Sequence, residues 1–454
     1  MIGKRKIRKL VDMIFGRSKA DQVEVVITNY DSALTRYANN YIHQNVSESN
    51  SGLSIRVIFG KKIGSASTSS LDPKQARKVL AWAEAVADHQ LPNSDFESLP
   101  ITKSKDYRPV VTCVPKTVRF SPRERADAVS EIVKVAKKNS LNAFGSVSNG
   151  AAELCIANSL GTFAYNVSSD FFCNCVMAGD NSTGYVQRGH RDVDKINFKK
   201  TAMIAAQKAL LSNNPINLPP GSYKTILEPL AASELLDFLS FYAFNGKFYL
   251  EGRSCLCGKL GKKIVDAGVT IIDDPLTSKG FAFAFDAEGV AKRRLTLIDK
   301  GIARNIVYDS MTARKAGVKT TGHALPAPNT FGPLANNLIM KPGKRDLQSI
   351  IASTDYGVLV TRFHYTNVID PVKLTFTGMT RDGTFLIEDG KITKGIKNLR
   401  FTENIIECLS RVEDIGSRVE LVASDPGYGA RFGNGVIMPA LKIKDFKFTS
   451  ATEF

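Results

Sequence analysis

The sequence predicts an α+β protein: an N-terminal α/β portion with an antiparallel sheet and flanking helices, then a mostly antiparallel C-terminal β domain. Three observations point there. Up to about residue 212, runs of β-rich residues with polar alternation are interleaved with capped helical stretches. Beyond residue 222, one apolar helix is followed by a long region dominated by strand patterns. Between them NNPINLPPGS (213–222) is a cluster of turn formers and breakers and reads as a linker. The expected division is a basic tail or helix at 1–20, an α/β region at 21–212 and a β-rich domain at 223–454.

The opening MIGKRKIRKLVDMIFGRSK carries five basic residues before LVDMIF. That apolar part is short, holds Asp12 and has no small-residue cleavage site after it, so a basic amphipathic helix or frayed tail is expected rather than an export signal. VEVVITNY (23–30), NYIHQNV (40–46), LSIRVIFG (53–60) and KKIGSASTS (61–69) read as strands. Asp72 then offers an N-cap and Pro73 a first helical position, where its missing N–H costs nothing. Ser121-Pro122-Arg123-Glu124 is a capping box for a second helix. Strands between 142 and 190 precede the helix INFKKTAMIAAQKALLS. In the C-terminal half, Asp299-Lys300-Gly301 and Glu388-Asp389-Gly390 sit between strands as hairpin turns, because Asp and Gly tolerate positive φ. No fixed-period repeat is visible.

Composition narrows the function classes. At 43% hydrophobic and 23% charged, the chain is globular in type, and no apolar run reaches the ~18 residues of a membrane helix. Seven cysteines spread over 454 residues suit free thiols in a reducing cytoplasm. The net charge of +17 raises a polyanion partner, but the basic residues are dispersed in short pairs, with no RNP motif and no zinc-finger spacing. Specific nucleic-acid recognition is therefore not expected.

Chemistry-bearing patterns are sparse. The five histidines lie far apart and no H-E-x-x-H occurs, so a zinc site would need distant ligands. Two C-x-C pairs, Cys173/Cys175 and Cys255/Cys257, could together offer four thiolates, but Cys173, Cys175 and Met177 form one apolar strand face that suits a core. DPGYGARFGNG (425–435) and GKLGKK (258–263) lack the phosphate-loop pattern and read as loops. TGHALPAPNTFGP (321–333) places His323 in a Gly/Pro-rich loop. TRFHYTN (361–367) alternates Arg362, His364 and Thr366 against Phe363 and Tyr365. Both are candidate cleft linings, weighed against ordinary surface polar residues.

Four stretches taken in order carry a family resemblance: LTRYANNYIHQNV (34–46), GSASTSSLDPKQARKVLAWAEAVA (64–87), EGRSCLCGKLGKKI with VTIIDDP (251–275), and FDAEGVAKRRLTLIDKGIARNIVYDSMTARKAG (285–317). Together they resemble the TldD/PmbA family, once described as modulators of DNA gyrase and regarded as subunits of a zinc metallopeptidase. In TldD-type members a helix before the G-R-S block carries H-E-x-x-x-H, whose histidines bind zinc and whose glutamate activates water, and a C-terminal cysteine adds a ligand. Laid on this chain, the histidine positions fall on Asp237 and Tyr242 and the glutamate on Phe238. No cysteine stands near ASDPGYGARFGNG. Phenylalanine cannot take a proton, and a tyrosine of pKa about 10 makes a poor neutral-pH ligand. The resemblance is thus to the PmbA or TldE type, with no catalytic residue and no metal on this chain, and with zinc on a TldD-type partner. It implies a cytoplasmic heterodimer, or a homodimer when isolated, enclosing a chamber that admits unfolded peptides such as bacteriocin precursors or antitoxins. Candidate substrate-binding residues are Arg253, His323, Arg362, His364 and Tyr365. Two other readings stay open: an autonomous peptidase with relocated ligands such as His323 and His364, and a nucleic-acid or gyrase-associated binding protein.

Overall fold

Two sheets organise the chain, described in a computed structural model over residues 1–426 and 431–452; the centre of the loop read at 425–435, residues 427–430, lies outside the described residues. The first sheet contains β1 (Gln22–Ala38), β2 (Tyr41–Phe59), β3 (Lys62–Thr68), β4 (Asn142–Asn158), β5 (Phe163–Ala178) and β6 (Thr183–His190). Its order is β3-β2-β1-β4-β5-β6, antiparallel throughout. The break expected between 46 and 53 is absent. β2 runs through the polar stretch SESNSG because each residue is paired on β1, with Ser49 donating to Asp31 (2.6 Å) and Ser51 to Asn29 (2.9 Å).

One face of this sheet is covered by α1 (Lys4–Phe15), α2 (Pro73–Asp88), α3 (Pro122–Lys138) and α4 (Phe198–Leu211). The N-terminal segment is a packed helix, since Ile7, Val11 and Ile14 are buried against β1 and β2. Asp72 accepts the Lys74 and Gln75 N–H groups, and Ser121 and Glu124 close their box, as the sequence predicts. Cys173, Cys175 and Met177 lie in the core under α3 and α4, while Cys255 belongs to the other sheet's core, so the C-x-C pairs do not converge.

The absence of a repeat is corrected by the topology. Helix, three strands, helix occurs twice: α1-β1-β2-β3-α2 and α3-β4-β5-β6-α4, joined at the central β1–β4 pair. The same packing device closes each copy. A Cβ on Gly64 of β3 would lie 2.1 Å from Ala83 O and 2.5 Å from Ala87 N of α2; one on Gly184 of β6 would lie 2.1 Å from Ala205 O and 2.5 Å from Ala209 N of α4. Only glycine lets those helices sit so low. The duplication survives in register and packing while the sequences have diverged, which is why a period search finds nothing.

The second sheet contains β7 (Gly221–Leu227), β8 (Ile271–Asp273), β9 (Leu295–Asp299), β10 (Ile302–Ala303), β11 (Leu338–Met340), β12 (Tyr356–Asp370), β13 (Thr375–Glu388), β14 (Lys391–Gly395), β15 (Leu399–Asn404), β16 (Val412–Ala423) and β17 (Gly435–Ala451). Five of these close a ring of hydrogen bonding, β7-β12-β13-β15-β17 and back to β7, with only β7–β12 parallel. The two predicted turns hold: Lys300, Gly301, Asp389 and Gly390 all have positive φ. α5 (Pro229–Phe238) buries Leu235 and Leu236 in a core shared with Val358, Phe363, Phe376, Phe401 and Phe446. The face of the first sheet opposite its helices meets this second unit. Arg431 clasps Asp170 there through Nε (3.0 Å) and Nη2 (2.7 Å) and reaches Ser32 (2.9 Å).

Candidate functional site

Helix α5 and strand β12 build a polar wall on this apolar support. The charged residues of α5 are Glu234 and Asp237, whose i,i+3 spacing sets both on one helix face. Thr366 of β12 donates to Glu234 (2.9 Å). Burial raises the Glu234 acid, while Thr366 and the Arg362 charge oppose the rise. Crowding by protein, then the Glu234 charge, pushes the Asp237 acid up to about 7; its side chain still opens to solvent, and water damps that shift.

Arg362 is held from two sides. Its Nε donates to Asp382 (2.8 Å), Nη2 bonds the same carboxylate, and the guanidinium stacks over Tyr185 of β6 at 4.1 Å. Asp382 has φ +53 and Gly383 φ +120, which puts a bulge in β13 opposite Thr361, next to Arg362. Burial and the Arg381 and Arg362 charges lower the His364 pKa, so its ring is neutral at neutral pH. The expected alternation fails after His364: Tyr365 has φ +49, the register slips before Asn367, and the Tyr365 ring stands 79% exposed, 4.3 Å from the His364 ring. The structure therefore gathers Asp237, Arg362, His364 and Tyr365 with Thr366 of the same strand, and adds Glu234 and Asp382, which sequence reasoning missed. The spacing of two acids in an otherwise uncharged helix was the readable signal for Glu234.

Arg253 and His323 are not part of this wall. Arg253 is spent in its own turn, paired with Glu251 (2.9 Å) and stacked on Phe248 (4.2 Å). His323, expected in a surface-like loop, is buried: Nδ1 lies 2.9 Å from Thr321 Oγ1 and Nε2 3.2 Å from the buried Asp273 carboxylate. Gly322, with φ +76, lets that loop press against Ala291 and Lys292.

The helix positions singled out for zinc do not form a ligand set. Phe238 packs on Phe376 (5.8 Å between ring centroids) and Tyr242 on Phe248 (6.0 Å), leaving Asp237 as one hard oxygen donor. Among the described residues no three His, Cys, Asp or Glu side chains gather as a metal site. The backbone here is nevertheless unusual: Leu239–Ala243 form a π turn, closed by Phe244 N to Leu239 O (2.9 Å). On a regular helix, positions five apart diverge by about 140°. The wide turn absorbs one residue, so Tyr242 takes the angular place an i+4 residue would have relative to Asp237.

Residues 220–450 match the PmbA/TldA metallopeptidase C-terminal domain, and residues 23–87 match PmbA/TldA metallopeptidase domain 1. The chain belongs to the PmbA/TldD family. A metalloprotease of Methanothermobacter thermautotrophicus is 31% identical over 206 residues, 45% of this chain and 44% of that relative's length. Metalloprotease PmbA of Escherichia coli O157:H7 is 25% identical over 451 residues, 95% of this chain and 94% of its own. The crystal structure of TldE from Thermococcus kodakarensis shares the fold, with a TM-score of 0.86 at 22% identity and coverage of 98% and 99%. The α+β class read from the sequence therefore stands, and among the described residues no helix is long and apolar enough to cross a membrane.

Proposed function

We propose that this chain is the PmbA/TldE-type subunit of a two-chain zinc metallopeptidase and carries no catalytic zinc of its own. In this reading it pairs in the cytoplasm with a TldD-type subunit, which brings the metal that activates water. This chain supplies part of the wall that admits unfolded peptides. The carrying observation is the α5 helix: at the positions where catalytic relatives place H-E-x-x-x-H stand Asp237, Phe238 and Tyr242, two of them locked into aromatic packing.

The α5–β12 wall suits the passive half of such a chamber. When protonated, the Asp237 acid can donate a hydrogen bond to a peptide carbonyl, Arg362 is anchored rather than free, and Tyr365 offers an exposed ring to an unfolded side chain. The test is co-purification with a TldD-type protein of the same cell, metal analysis of each chain, and peptide cleavage with and without this one. Cleavage that needs both chains, with zinc on the partner, is expected. Stoichiometric zinc and cleavage by this chain alone would overturn the proposal and favour the autonomous peptidase.

A further inference from the structure

Between the two sheets lies a cavity of about 520 Å³ that the reading above does not use. Its floor is the free face of the first sheet, with Val26, Ile156 and Ser168; its roof comes from the C-terminal unit, with Phe281, Phe283 and Leu325. Such a volume lies within the ~300–1,000 Å³ of small-molecule sites. Arg191, immediately after β6, lines it and is 6% exposed.

The charge count at this cavity is uneven. Arg56 pairs with Glu24 (2.8 Å). Lys292 bonds Asn336 (2.8 Å) and Asn337 (3.2 Å) and feels the charges of Asp273 and Asp286. Arg191 has no carboxylate partner among the described residues. Its Nη1 bonds Val111 O, its Nη2 bonds Gly280 O (2.8 Å) and more weakly Ala282 O (3.5 Å), and its Nε finds no acceptor. Burial lowers its pKa, but an arginine stays charged. His323, which lines the same cavity at 1% exposure, already has its Nε2 3.2 Å from the Asp273 carboxylate. Buried charges are normally paired, and buried N–H groups normally donate.

We infer that this cavity binds a small carboxylate with an apolar body, its anionic head beside Arg191 and its body among the phenylalanines. One buried guanidinium without a carboxylate partner calls for a single negative charge, which favours a carboxylate over a phosphate dianion. The apolar walls call for an aromatic or branched body. A free acyl amino acid and the C-terminus of a peptide share this chemistry. The inference stands on this chain alone and is independent of the subunit proposal.

Calorimetric titration of the full chain tests it with N-acetylphenylalanine, its C-terminal amide, and tetra-alanyl-phenylalanine. The acid should bind at least tenfold tighter than the amide. Arg191→Gln should remove that preference, and Ser168→Phe, which fills the cavity and leaves Arg191 in place, should weaken the acid at least tenfold. Equal binding by the peptide would assign the site to peptide C-termini; binding by the small acid alone would assign it to free acids. If acid and amide bind alike, if the acid does not bind, or if folded Ser168→Phe binds as well as the native chain, the inference fails. Should Arg191→Gln not fold, Ser168→Phe decides.

Discussion

The clasp between Arg431 and Asp170 gives a stability prediction whose pH dependence can be worked out in sign. Arg431 is 2% exposed and Asp170 4%, and two hydrogen bonds join guanidinium to carboxylate across the seam between the two sheets. Asp170→Asn keeps the shape and leaves a buried guanidinium without its counter-charge. Breaking one side of such a pair costs about 3–5 kcal/mol, a large share of the ~5–15 kcal/mol that holds a typical protein folded. Arg431→Met leaves the other half, a carboxylate that can escape by protonating. Burial already raises the Asp170 acid, and Arg431 is what opposes the rise. In Arg431→Met the folded acid must climb further above its unfolded value. Stability is then fully present below the unfolded pKa near 4 and is lost as pH rises toward the folded one, at up to about 1.4 kcal/mol per pH unit. The slope of stability against pH should therefore be steeper than native in Arg431→Met and shallower in Asp170→Asn, where the titrating group is gone. Urea unfolding followed by far-UV circular dichroism between pH 4.5 and 8 measures both. Parallel slopes in the two variants, or losses under about 1 kcal/mol at pH 7.5, would refute the argument.

Gly64→Ala and Gly184→Ala should each lift a helix from the sheet, costing roughly 1–3 kcal/mol by overpacking, measurable in the same unfolding assay; the duplicated packing predicts similar losses for both. Asp237→His with Tyr242→His should give a melting temperature that rises with added zinc, as the native chain's does not, because the π turn sets both positions on one face; no zinc-dependent rise would mean the turn does not align them. Burial, then the Asp286 charge, raises the Glu288 acid, so this group's contribution falls as pH climbs from the ordinary carboxylate range through neutrality. Glu288→Gln should flatten that part of the stability profile. Under native conditions a thiol reagent should modify Cys113 and Cys257 well before the buried Cys155, Cys173, Cys175, Cys255 and Cys408.

What the sequence displayed was local. Asp72, Ser121 with Glu124, and the Asp-Gly turns announce themselves because each satisfies its own backbone within four residues. The thiol face of β5 was legible because strand alternation is strict in a half-buried sheet. What stayed hidden depends on partners far along the chain. The ring closes where Leu227 meets Leu441, and nothing near either residue specifies the other. The two helix-strand-helix copies match in register and in a glycine beneath an alanine pair, a pattern too short to stand out in a sequence. The alternation read at 361–367 failed for a different reason: the bulge at Asp382 and the positive φ of Tyr365 are imposed by the neighbouring strand, and they re-aim side chains that a regular strand would have ordered otherwise.

If this chain is the zinc-free subunit proposed above, the π turn after α5 bears on how a metallopeptidase scaffold is kept without its metal. If zinc held that wide turn open, losing the histidines would let the helix relax to regular geometry. Here the turn is fixed by protein alone: Ser240 bonds Ala335 O, Ser254 donates to Ala243 O (2.7 Å), and Asn245, fully buried, caps the next helical turn through Lys247 and Phe248 N–H. Phe241, Tyr242, Phe248 and Phe331 then stack around it. The backbone exception is thus supported by hydrogen bonds that do not involve the positions a metal would need, while the ring packing around it uses one of them, Tyr242. In the proposed reading, ligands and scaffold are then separable, because these hydrogen bonds hold the wide turn whichever side chains stand at 237, 238 and 242.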